Sequence, residues 1–208
     1  MNAAAIKYIG AAFSMRRELK LVFFTFGILC FLPFFTVVLL TQVGINLISG
    51  TLVTHDSQTH EVQIHDPRTG EVADTVSGPF AWPISGPVSL EFGESDLPYQ
   101  PYHTGIDIAT TNHQVGDPVG PFMKGTVVKV KELTWGYGKY VVVDHGHHLT
   151  SVYAHLNSIA VTENQEVDIG TILGLRGTTG WSTGPHTHFE IRVFGIPVNP
   201  RTFLTGEP

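Results

Sequence analysis

Three short segments of this 208-residue chain carry imidazoles and carboxylates where extended backbone could aim them at one point. The first is His103-Thr-Gly-Ile-Asp107, the second Ser151-Val-Tyr-Ala-His155 and the third His186-Thr-His188-Phe-Glu-Ile. Alternate residues of a strand share a face, so 103, 105 and 107 fall together, as do 151, 153 and 155, and 186, 188, 190 and 192. A straight strand would hold residues 103 and 107 about 13 Å apart, near the limit for two side chains gripping one ion. Gly105 permits a bend there and leaves room between them. His186 and His188 stand about 6.6 Å apart at Cα on one face, with the apolar Phe189, Ile191 and Val193 on the other. One imidazole can then bind metal while the other handles protons. Two imidazoles and a carboxylate, with a fourth position left to water, are the ligand set of a catalytic zinc site, whereas structural zinc is normally closed by four protein ligands. Mixed nitrogen and oxygen ligation suits zinc, with manganese or iron as alternatives. Cys30 is the single cysteine, which excludes an intramolecular disulfide and every cysteine-based zinc site.

Other residues compete for these roles. Glu190 shares the His186 face and could act as a general base, as glutamate does in other metalloproteases. A pair with Arg192 or another rim charge is the simpler reading, because the His-x-His arrangement already supplies a base. Tyr102 or Tyr153 could donate to a developing oxyanion, but packing in the core or groove is favoured for each. The loop from Gly177 to Pro185 is glycine-rich like a phosphate loop, yet it lacks the Gly-Lys-Ser/Thr ending. It reads better as a groove wall, with Trp181 on the rim. His55, His60 and His65 recur every five residues, a period that fits neither a strand face nor a helix face, and are read as solvated linker histidines.

From Pro79 onward, short β-branched runs alternate with glycine and proline: VSLEF, GTVVKV, KYVVVDH, LTSVYAHL, GTILGL and THFEIRVF. Strands at such spacing predict an all-β domain over 79–208, large enough for one core. His147 and His148 fall in an expected hairpin connection after Asp144-His145-Gly146. Residues 44–78 mix Gly, Ser, Thr, Asp and His without a sustained period and are expected to form a weakly ordered linker or stalk.

Residues 21–41 carry no charge. At about 1.5 Å per residue, this run matches the roughly 30 Å hydrocarbon core of a bilayer. A transmembrane helix is therefore expected over 21–43, with a kink permitted at Pro33. Lys7, Arg16, Arg17 and Lys20 precede it against the single acid Glu18. The positive-inside rule places 1–20 in the cytoplasm and everything after the span outside. The run is longer than a signal-peptide core, and no small-x-small cleavage site follows it, so an uncleaved anchor is expected. Residues 51–208 hold eight bases against seventeen acids. Such a body matches phosphate backbones poorly and argues against nucleic-acid binding.

HTGIDIA, SVYAHLN and STGPHTHFEI, in that order, resemble the lysostaphin/LytM-type zinc metallopeptidases, which cleave peptide bonds in bacterial peptidoglycan. The resemblance runs from about Pro79 to Leu204. It implies a small antiparallel β-sheet or barrel-sandwich peptidase domain with a groove, one Zn2+ held by His103, Asp107 and His188, and catalytic roles for His155 and His186. By analogy His186 is the general base and His155 the oxyanion donor, an assignment that could be reversed. All five positions are present, whereas regulatory relatives commonly lack some. The implied protein is a single-pass zinc endopeptidase of the bacterial cytoplasmic membrane acting on peptidoglycan cross-links. It could serve local wall opening by a secretion, division or conjugation apparatus. A catalytically silent wall-binding or regulatory module of the same fold is the main alternative. A biotinyl- or lipoyl-like carrier, suggested by Phe122-Met123-Lys124-Gly125, leaves the histidine constellation unexplained.

Overall fold

The computed structural model describes residues 3–56, 59, 61–94, 102–110 and 114–208, with side chains in the N-terminal helix at 17–33, 36, 37, 40 and from 43 onward. His60 lies outside the described residues. Helix α1 (Ala3–Leu52) contains Pro33 and continues through the uncharged run. Its side chains Leu21, Phe23, Phe24, Phe26, Leu29 and Phe31 are all exposed. Among the described residues no helix is long and apolar enough to cross a membrane. The side chains at 34, 35, 38, 39, 41 and 42 of the expected span lie outside that set.

The chain divides into two compact units, Met1–Val43 and Gly44–Pro208. In the second, the closing turns of α1 bury Ser49 and Leu52. The described residues that follow form strands in place of the expected weakly ordered linker or stalk. Strands β1 (Val53–His55), β2 (Glu61–His65) and β3 (Val72–Ser77) form an antiparallel sheet in that order. Val62, Ile64 and Val76 are buried beneath it. The alternating pattern of β2 lasts only five residues, which is why polar composition masks it. His65 is part of this sheet's own hydrogen bonding, to Thr54 Oγ1 at 2.9 Å and the Gly70 carbonyl at 3.2 Å.

The main sheet is built from β4 (Val88–Leu90), β5 (Ile106–Ala109), β7 (Gly125–Glu132), β8 (Lys139–Asp144), β9 (Leu149–Leu156), β11 (Glu166–Val167), β13 (His186–Val193) and β14 (Ile196–Val198). A small sheet of β6 (Pro118–Val119), β10 (Ser158–Ile159) and β12 (Gly174–Leu175) completes the second unit. The order β11-β7-β8-β9-β13-β5-β4, with β14 also on β13, makes β13 central. One face of β13 sends Phe189, Ile191 and Val193 into a core shared with Ile106, Ile108, Phe122, Val141 and Leu149. The hairpin between β8 and β9 turns through His147 and His148, both in the left-handed region. His147 Nδ1 also reaches Asp74 Oδ2 on β3 at 2.7 Å.

Candidate metal centre and cleft

Pairing of β13 with β5 sets His188 opposite Asp107 and His186 opposite Ala109. His103 precedes β5 rather than lying on it, so the straight-strand separation never arises. The bend occurs at Gly105, where an added Cβ would lie 2.2 Å from the Phe189 carbonyl oxygen. The three side chains meet. His103 Nε2 lies 3.0 Å from Asp107 Oδ1 and 2.9 Å from His188 Nδ1, and His188 Nδ1 lies 2.8 Å from Asp107 Oδ1.

The partners of the remaining ring nitrogens decide what this triangle can hold. His103 Nδ1 faces the Glu91 carbonyl oxygen at 3.0 Å, so that nitrogen must carry the proton. His188 Nε2 faces Glu190 Oε1 at 2.9 Å and must likewise donate. In their neutral forms both imidazoles therefore turn bare lone pairs toward each other and toward a carboxylate oxygen. Three acceptors at hydrogen-bonding distance need a cation between them, either a proton or a metal ion. The donor set fits zinc in type and in the hydrogen bonds behind the ligands. Burial alone would lower the His188 pKa, but its bonds to Asp107 and Glu190 raise it to about 9. Burial would raise that of Asp107, but His103 and His188 hold it well below the usual carboxylate range.

His155 and His186 stand beside the triangle, with ring centroids 4.7 Å apart. His155 does not share a face with Tyr153, as strand alternation implies. Its φ of +60° and a register shift opposite β8 turn it out of the alternation. Tyr153 instead enters the core, where its hydroxyl accepts from the Phe122 amide at 2.8 Å. His155 Nδ1 donates to the Thr179 carbonyl at 2.8 Å, and His186 Nδ1 to that of Gly184 at 2.8 Å. Each neutral ring therefore keeps Nε2 as its acceptor. Burial, then the neighbouring His188 and His186, push His155 down to about 3. His186 Nε2 lies 3.5 Å from Asp107 Oδ2.

Glu190 is fully buried rather than a rim charge, and it pairs with Arg192 as expected. Tyr102 donates to Asn46 Oδ1 and has no bond to the triangle. Trp181, expected on a groove rim, and residues not singled out in the sequence complete the cleft. A cavity of about 400 Å³ reaches His155 and His188 past Thr104, Leu133, Trp135, Tyr137, Tyr140 and Trp181. Trp135 and Trp181 are exposed on its rim, with ring centroids 6.3 Å apart. Their loops are locked by the Trp181 amide donating to the Gly136 carbonyl at 2.8 Å. At Gly180, with φ +72°, a Cβ would collide with that same oxygen. A larger depression, about 630 Å³ beside Lys124, Glu166 and Asp168, shares no residue with the triangle.

Residues 101–200 match the model of peptidase family M23. The catalytic domain of the prophage-encoded M23 protein EnpA from Enterococcus faecalis is 32% identical, with a TM-score of 0.52 over 61% of this chain and 96% of that one. Peptidoglycan DD-endopeptidase ShyA of Vibrio cholerae is 41% identical over 47% of this chain and 22% of its own length. Murein hydrolase activator NlpD of Salmonella typhimurium is 32% identical over 75% of this chain and 40% of its own. The chain thus spans less than half the length of either curated relative. A near-complete match to a catalytic domain, on a β fold carrying the His-Asp-His triangle, fixes the relationship: this chain belongs to peptidase family M23.

Proposed function

We propose that this protein is a membrane-anchored zinc endopeptidase that hydrolyses peptide cross-links of bacterial peptidoglycan. The observation that carries the reading is the triangle of lone-pair donors at 2.8–3.0 Å, with two further histidines beside it and a cleft leading in. His103 Nε2, Asp107 Oδ1 and His188 Nδ1 would hold the ion. When bound, zinc polarises a carbonyl as a Lewis acid and lowers the pKa of water toward 7.

The chain's own residues manage the protons. His186 takes one at Nε2, because Nδ1 is already committed to the Gly184 carbonyl. It then returns that proton to the departing amine. His155, kept neutral by burial, orients the attacking water by accepting a hydrogen bond at Nε2. Trp135, Tyr137 and Trp181 position an extended peptide along the cleft.

The anchor rests on the uncharged run at 21–41 and the basic residues before it. We assign 1–20 to the cytoplasm and the peptidase unit to the outer side of the cytoplasmic membrane, where it would meet the wall at a growth, division, secretion or conjugation site. Resistance of the full chain to alkaline carbonate extraction, with protease access only from outside, is expected; a protein released by carbonate has no such anchor.

The regulatory alternative draws support from the likeness to NlpD. It gives no reason for the converging ligands or for the histidines beside them. The metal content of the purified full chain separates the two: about one zinc per chain with chelator-sensitive cleavage supports the enzyme, and a zinc-free, chelator-indifferent protein supports the regulator.

A further inference from the structure

We infer that Glu190 is a positioning residue for the metal centre: its buried carboxylate, clamped by Arg192, Tyr137 and Thr104, holds the His188 proton on Nε2 and so keeps Nδ1 available to the ion. The inference rests on reading the His-Asp-His triangle as a metal site.

Both carboxylate oxygens are fully engaged. Oε1 accepts from Thr104 Oγ1 at 2.5 Å, Tyr137 OH at 2.5 Å and His188 Nε2 at 2.9 Å. Oε2 accepts from Arg192 Nε at 2.7 Å, and Arg192 Nη2 lies 2.5 Å from it. A carboxylate offers about four lone-pair sites, so this group has none left to take a proton from water. That excludes Glu190 as the general base. A simple ion pair with Arg192 is also insufficient, because it accounts for Oε2 and leaves the three donors on Oε1 without a purpose.

A neutral imidazole carries its proton on either nitrogen, and the hydrogen bond at one decides which nitrogen is free for metal. Without an acceptor at Nε2, the His188 proton can move to Nδ1, where it points into the triangle and blocks the ion. Arg192 fixes the carboxylate from the other side, with Nε and Nη2 both on Oε2. The Arg192 guanidinium additionally donates to Tyr137 OH at 3.0 Å, fixing that hydroxyl toward Oε1. Thr104 and Tyr137 line the cleft, so the same cluster joins the substrate wall to a metal ligand.

The test is zinc affinity of the detergent-purified full chain, measured at one pH by competition with a chromophoric chelator for the parent and Glu190→Gln. The expected result is a 10–100-fold weaker affinity in Glu190→Gln. A folded Glu190→Gln protein that binds zinc like the parent overturns the inference. A role in stability alone would lower the melting temperature of the metal-free protein and leave the affinity of its folded fraction unchanged. Should Glu190→Gln fail to fold, nitrogen-15 imidazole spectra of the zinc-loaded parent decide. A slowly exchanging His188 Nε2 proton close to the Tyr137 ring supports the assignment, and a rapidly exchanging one contradicts it. None of these readouts requires cleavage. A parent that binds zinc but cuts no peptidoglycan sinks only the proposed function, an unaffected Glu190→Gln sinks only this inference, and a parent that binds no zinc sinks both.

Discussion

Tyr153 and His155 lie two residues apart on β9 yet face opposite sides of the main sheet. Tyr153 packs against Phe189 in the core, whereas His155 approaches His186 in the cleft. The left-handed backbone at His155 makes the difference, and a non-glycine residue in that region is strained by roughly 1–2 kcal/mol. The strain sits at the one position on the strand where a side chain is diverted to the site.

His155→Ala is expected to keep its zinc and lose turnover by about 10²-fold or more, because the attacking water loses the acceptor that orients it. His155→Gly should be equally inactive but at least as stable as His155→Ala, because glycine relieves the positive φ. Metal analysis, muropeptide turnover and thermal melts of both variants check this. A clearly less stable glycine variant would contradict the strain.

Gly105→Ala tests the bend that brings His103 to Asp107. Its Cβ would lie 2.2 Å from the Phe189 carbonyl oxygen and 2.9 Å from Glu190 Cγ. Overpacking of this kind typically costs about 1–3 kcal/mol. Denaturant melts should show that loss, and zinc titration should show weakened binding because two ligands are pushed apart. Parental affinity would mean the ligands do not depend on this close approach.

Proton and metal compete for the triangle. The His188 pKa in the folded, metal-free protein is raised to about 9 from 6.5, with burial opposing and the bonds to Asp107 and Glu190 prevailing. Its bound proton therefore stabilises the metal-free fold fully below pH 6.5, and this contribution is lost as pH rises through about 9. An incoming ion must displace that proton, so apparent zinc affinity should rise about tenfold per pH unit toward that limit. Isothermal titration in buffers of different ionisation enthalpy should detect proton release near pH 7. A pH-independent affinity would show that no proton is displaced.

Trp135→Ala and Trp181→Ala remove exposed rings from the cleft rim. Their stabilities should stay within about 0.5 kcal/mol of the parent, as for most surface substitutions. The expected kinetic signature is a raised KM with kcat changed much less, because in the proposed function the rings would meet substrate away from the bond being broken. An equal fall in kcat with KM unchanged would place them in transition-state stabilisation instead.

The legible part of this molecule is the part governed by local pattern. Alternation on β13 separated the His186 and His188 face from the buried Phe189, Ile191 and Val193 face. The need for a glycine between His103 and Asp107 was likewise readable, although its reason lies partly in the backbone of another strand. What escaped the sequence depends on long-range or exceptional geometry. The sheet at 53–77 has strands of three to six residues, too short for a clear period amid polar residues. The diversion of His155 follows from a bulge that its residue type does not announce. Tyr137 and Thr104 gain meaning only when folding brings them, across 53 and 86 residues of sequence, onto one buried oxygen of Glu190.

The most direct measurement is mass spectrometry of muropeptides released when the purified full chain digests intact peptidoglycan in ¹⁸O-water, with zinc removed by chelation and then restored. The expected result is cross-linked species converted to monomers, with one ¹⁸O in each new carboxyl group, only while zinc is present. Unchanged cross-links with the zinc-loaded protein, or the same cleavage after complete chelation, would contradict hydrolysis at the His103, Asp107 and His188 centre.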